Sequence, residues 1–107
     1  MSQNKKNFKK DIRRLTGIAY ERELRQHLGA LFNKFLEWRE GQLITWDLVE
    51  MIHKFHNGAA RELYSFYQKP SDYVVAYAVS KGLISLSDVP DELHEVVEKL
   101  QDCFKKE

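Results

Sequence analysis

The chain has 107 residues, of which 43% are hydrophobic and 31% charged, with a single cysteine and a formal net charge of +1. That is the length of one domain with enough apolar residues for a cooperative core, which excludes a disordered chain, an intrachain disulfide framework and a cysteine-built metal knuckle. The longest apolar run, Tyr73 to Val79, is far too short to cross a bilayer, and Met1 to Lys10 is polar and basic with no apolar run behind it. The expectation is therefore a cytoplasmic protein with no membrane partner.

The chain opens on a basic segment. Lys5, Lys6, Lys9, Lys10, Arg13 and Arg14 stand against Asp11 alone, a net charge of +5 over Met1 to Arg14. Residues 1–7 read as a flexible arm. At the other end, Asp88 to Glu107 carries seven acids and three lysines, a net charge of −4. The plain reading is two solvated faces. The sharper one gives the basic arm an acidic partner or a nucleic-acid backbone.

The first helix is predicted over about Phe8 to Glu40, because Phe8, Ile12, Leu15, Ala19, Leu24, Leu28, Leu31, Phe35 and Trp38 recur largely at steps of three and four. Gly17 and Gly29 each cost roughly 1 kcal/mol of helix propensity against alanine and leave two shorter helices open. Gly41 is placed to cap the C-terminus. Thr45 is the expected N-cap of a second helix, with Asp47 in its first turn. Leu48, Ile52, Phe55, Ala59, Leu63 and Phe66 keep helical phase straight through Asn57-Gly58. One helix from about Trp46 to Gln68 follows, rather than two.

Pro70-Ser71-Asp72 opens the third helix, to about Lys81. Its interior is apolar nearly all round, so it should be buried on several sides. A strand would suit its three valines, but no other segment alternates to pair with it. Gly82-Leu83-Ile84 reads as a tight corner, and Ser85 to Asp88 as a single turn closed by a Ser-x-x-Asp capping pattern. The last helix begins near Pro90 on a stripe of Leu93, Val96, Val97, Leu100, Cys103 and Phe104. The architecture is all-α: an antiparallel bundle of about four helices, two long and two short, in a single domain.

The chemistry-bearing residues are few. Glu50-x-x-His53 has the spacing of carboxylate di-iron bundles, and His56 follows one step on, but no second such pair exists. No metal and no cofactor are expected. Cys103, beside Asp102 on an apolar stripe, reads as a small core residue rather than a nucleophile. No glycine-rich phosphate cradle and no nucleophile elbow occurs.

One polar spot remains. Val49, His53, His56, Ala60, Leu63 and Tyr67 form a second stripe beside the main apolar seam. His53, His56 and Arg61 could hold an anion or a partner's carboxylate there. The favoured reading is a close helix crossing permitted by Gly58, Ala59 and Ala60. Thirteen aromatic residues and a long first helix leave more apolar stripe than two short helices can hide, which favours self-association as a homodimer. The expected function is thus non-enzymatic, through protein–protein contacts. The alternatives are nucleic-acid binding through Lys5, Lys6, Lys9, Lys10, Arg13 and Arg14, or ligand binding at His53, His56 and Arg61.

Overall fold

Helix α1 (Ser2–Arg39) is unbroken through both of its glycines in the computed structural model, which describes residues 2–105 and the side chains of residues 8–104. The flexible basic arm expected over residues 1–7 has its side chains outside the described residues. Gly41 ends α1 at φ 83°, a left-handed conformation that a side chain would strain. The Gly41 amide donates to the Trp38 carbonyl at 3.0 Å and the Gln42 amide to the Glu37 carbonyl at 2.8 Å. These paired bonds satisfy two of the helix's last carbonyls in a Schellman arrangement.

Helix α2 returns antiparallel. It consists of Thr45–Phe55, a single π-helical turn His56–Ala60, and Arg61–Phe66. Gly58 has no positive φ, so the chain does pass helically through Asn57-Gly58. The N-cap differs from expectation. Ile44 holds that position without a side-chain bond. Thr45 is the first helical residue, and its hydroxyl accepts from the Trp38 indole nitrogen at 3.0 Å. The threonine thus pins the hairpin's two helices together instead of capping the second.

Helix α3 (Asp72–Ser80) is capped by the Ser71 hydroxyl, which accepts from the Val74 amide at 3.2 Å. Val74, Val75, Ala76 and Ala78 are all buried, as a helix apolar nearly all round requires. No strand occurs among the described residues. Gly82 repeats the device of Gly41 at φ 73°, and the following Leu83 is buried. The Arg22 guanidinium donates to the Leu83 carbonyl at 2.7 Å, tying this corner back to α1. A 3-10 turn, Leu86–Asp88, carries the expected capping box on Ser85 and Asp88. A second, Asp91–Leu93, leads into α4 (His94–Lys105).

These elements divide unequally. Leu15 and Ala19 of α1, Leu63 and Tyr67 of α2, the interior of α3, the Leu83-Ile84 corner, Val89 and Val97 of α4 form one buried core. Thr16 is buried beside Leu15 with its hydroxyl unpartnered. We call this end the head. Beyond it, the second half of α1 and the first half of α2 project as a two-helix hairpin. Leu48 is the single buried side chain there among the described residues. The molecule measures 60 × 27 × 20 Å with a radius of gyration of 17.4 Å, against about 13 Å for a compact chain of this length.

Cys103 departs from expectation. It is exposed. On a helix it lies about 120° from Val97, the buried centre of the α4 face, so it falls on the flank of the stripe.

Candidate interaction surface

The head is tied together by polar contacts. Glu23, half-buried on α1, accepts from the Tyr67 hydroxyl and the Tyr77 hydroxyl, each at 2.7 Å. Burial raises both phenol pKa values above the ordinary tyrosine range, and the Glu23 carboxylate, by hydrogen bond and charge, raises them further. The rings of Tyr20, Phe66, Tyr67, Tyr77 and Phe104 pack in sequence at centroid distances of 4.7–5.9 Å, mostly tilted or edge-on. His94 is held by the Val89 carbonyl at 2.7 Å. The partners of Glu23 lie 44 and 54 residues away in the sequence, which no local pattern reveals.

The hairpin presents the opposite chemistry. Among the described residues, seven of the nine large apolar side chains that stand exposed lie between Leu28 and Val49, so the exposed apolar surface is concentrated there rather than scattered. Phe32 is 59% exposed, Trp46 73% and Leu28 46%. On α1, Glu21, Leu24, Arg25, Leu28, Gly29 and Phe32 line one shallow, mostly apolar groove. Their spacing of three and four residues puts them on one face, which Phe35 and Arg39 continue. An alanine methyl built at Gly29 would meet no atom within 4 Å, so this face is open at its glycine. Glu21 and Arg25 form an exposed ion pair at 2.9 Å on its rim.

The sequence-derived ligand candidates separate. His56 and Arg61 line a second open groove with Tyr20, Ala60, Tyr64 and Ser65, while His53 is exposed and outside it. The close crossing expected at Gly58, Ala59 and Ala60 does not occur. A methyl at Gly58 would meet nothing within 4 Å, and α1 is approached chiefly by the two α-helical segments of α2. The reason lies in the turn itself. An i→i+5 turn takes in one extra residue and rotates everything after it. The seam that begins on Leu48, Ile52 and Phe55 therefore resumes on Leu63 and Tyr67. Tyr67 is buried and Phe66 only half-buried.

Lys9, Lys10, Arg13 and Arg14 are all exposed, and their four-residue repeat places them along one side of α1. Arg14 approaches Asp11 at 3.6 Å. The side chains of Lys5 and Lys6 lie outside the described residues. Every ion pair among the described residues is between neighbours three or four apart, so none joins the basic start to the acidic end. Glu50, His53 and His56 do not converge with a further ligand: no group of three His, Cys, Asp or Glu side chains placed for a metal occurs among the described residues. No described helix is long and apolar enough to cross a membrane. Comparison with protein-family models, with curated proteins and with solved structures returns no match to this chain.

Proposed function

We propose that this chain is a non-enzymatic helical protein that acts through protein–protein contacts, and that the contact surface is the exposed apolar face of the hairpin. The observation that supports this is the concentration of Leu28, Phe32, Phe35, Trp46 and Val49 on one projecting, thinly packed element, whereas in the head Tyr64 and Tyr73 are the large apolar side chains that stand exposed among the described residues. Large contiguous apolar patches are uncommon on isolated soluble proteins and mark places where something else packs. Phe and Trp are also the side chains that most often anchor such contacts. The lone thiol of Cys103, exposed and with no second cysteine in the chain, favours a reducing, cytoplasmic setting.

The test is a comparison of wild type with Phe32→Glu, each recovered from native cell extract. Phe32 is more exposed than buried, so the variant should fold with an unchanged unfolding midpoint. Wild type should retain a stoichiometric protein partner, which includes a second copy of itself, and Phe32→Glu should lose it. Equal recovery by both proteins would sink the hairpin as the contact surface.

A second reading rests on the exposed row of Lys9, Lys10, Arg13 and Arg14. Four cations on successive turns suit contact with phosphates, and binding of random duplex DNA should then weaken steeply with salt. Replacing all four by glutamine should abolish it. Binding that ignores both salt and those substitutions would remove this reading.

A further inference from the structure

Resting on the hairpin as the contact surface, we propose that its occupant is a second copy of this chain, docked antiparallel so that the two α1 helices cross at the level of Ala30. The register is written in α1 itself. Counted outward from Ala30, Leu28 and Phe32 are equidistant, and so are Glu21 and Arg39. Leu24 and Phe35 are six and five residues away, a mismatch of one residue or about 1.5 Å of helix rise. All six lie on the side of α1 that carries the open groove or on its direct continuation. An antiparallel two-fold pairs each residue with its counterpart across the centre. Leu28 of each copy then meets Phe32 of the other, Leu24 meets Phe35, and Glu21 meets Arg39. The charged pair closes both ends, with opposite signs, of a strip that is apolar apart from Arg25. Shifting the register by one helical turn breaks both charge pairs and sets Glu21 of one copy against Phe35 of the other.

Gly29 is the second observation. A glycine inside an exposed helix costs about 1 kcal/mol relative to alanine and here serves no turn. It sits beside the crossing point with nothing within 4 Å of where its methyl would be. Absence of that methyl lets a facing helix approach closely, which is what a crossing at Ala30 needs.

The strip from Glu21 to Arg39 is about 27 Å long. Ala30 lies nine residues from the hairpin end of α1 and far from its start. In the free chain Glu21 is held by Arg25 at 2.9 Å, an exposed pair that yields to a second arginine at little cost.

Sedimentation of the purified full-length chain, from about 1 to 100 µM (the span that brackets micromolar association), decides the matter. Wild type should show a monomer–dimer equilibrium. Glu21→Arg and Arg39→Glu should each weaken it about tenfold or more, since each turns two attractions into two repulsions. The double variant should recover to within about threefold of wild type, because both pairs are restored in reversed sense. Gly29→Ala should weaken the dimer while Gly17→Ala, on the head half of the same helix, should not.

A monomer throughout the range overturns the second copy as occupant and leaves the contact reading to the extract experiment with Phe32→Glu. A dimer that survives Phe32→Glu lies on another surface and overturns the proposal. A dimer lost in Phe32→Glu but not rescued by the double charge reversal overturns the register.

Discussion

In the head, α1 and the end of α2 meet α3, α4 and the corner between them; in the hairpin the same two helices have only each other. The sequence is no less apolar in the hairpin. Leu28, Phe32, Phe35, Trp38, Trp46 and Val49 are as hydrophobic as anything in the core, and all are exposed. What differs is the number of surfaces available to cover them. A helix buries one stripe per neighbour, and a two-helix layer cannot close a core around side chains of this size. The head satisfies the same kind of stripe by adding a third and a fourth helix and a half-buried carboxylate bridge.

The largest expected effect separates these regions directly. Leu15, only 1% exposed, sits in the head core, and Leu15→Ala should cost about 3 kcal/mol through lost burial and the cavity left behind. Phe32→Ala removes a larger side chain from the hairpin and should cost no more than about 0.5 kcal/mol in the monomer. Urea unfolding below the association range measures both. Equal costs would mean that the hairpin carries a core of its own.

Next in size is the bridge at Glu23. Glu23→Ala leaves two tyrosine hydroxyls in the head without their acceptor, at a cost of about 2 kcal/mol. Tyr77→Phe, which removes one donor and leaves the carboxylate its other, should cost about half that. Thermal unfolding of the two variants gives the ratio. A Glu23→Ala protein as stable as wild type would show the bridge to be idle.

The same pair sets an alkaline limit. Both phenol pKa values are raised in the folded chain, chiefly by burial and then by Glu23. Below pH about 10 both states keep these protons and the two tyrosines contribute no pH dependence. Above it the unfolded chain releases protons that the native state retains, so stability must fall as pH rises. With both tyrosines contributing, the slope approaches at most about 2.7 kcal/mol per pH unit, and with Tyr77→Phe about half. Denaturant midpoints between pH 9 and about 11 follow the slope. A slope unchanged in Tyr77→Phe would assign it elsewhere.

The four-helix arrangement was legible because its signals are local. Proline, glycine and serine mark the ends at Gly41, Ser71, Gly82 and Ser85, and apolar residues step by three and four between them. Asn57-Gly58 is legible as passable because the apolar phase continues beyond it. The extra residue of the π turn left no mark in that phase, since Ala59, Ala60, Phe66 and Tyr67 offer an apolar side chain in either register. The sequence therefore sent the seam to Phe66 where the fold buries Tyr67. Thr45 was read as a cap because nothing local tells it that Trp38 lies opposite across the loop. Cys103 was read as core because a stripe does not say how wide a face its neighbour covers. An excess of apolar stripe over available cover was legible; that it gathers on one hairpin follows only from the three-dimensional division into head and projection.

The smallest effects test the junction of the two regions, at the π turn. Gly58 has ordinary helical dihedrals and open space where a methyl would go. Gly58→Ala should therefore stabilise the chain by up to about 1 kcal/mol, by lowering the entropy of the unfolded state and the propensity cost of the helix. Ala60 faces an open groove beside Tyr20 and His56 rather than a packed crossing. Ala60→Leu should then change stability by no more than about 0.5 kcal/mol, where a tight crossing would impose roughly 1–3 kcal/mol of overpacking. The two substitutions read different things, backbone freedom and side-chain room, and together they decide whether the turn is a hinge or a contact. Gain at Gly58 with tolerance at Ala60 describes a junction that links head to hairpin without packing against either. A large loss at Ala60 would instead place a neighbour in the groove, join the two regions into one core, and remove the distinction from which the hairpin's role is argued.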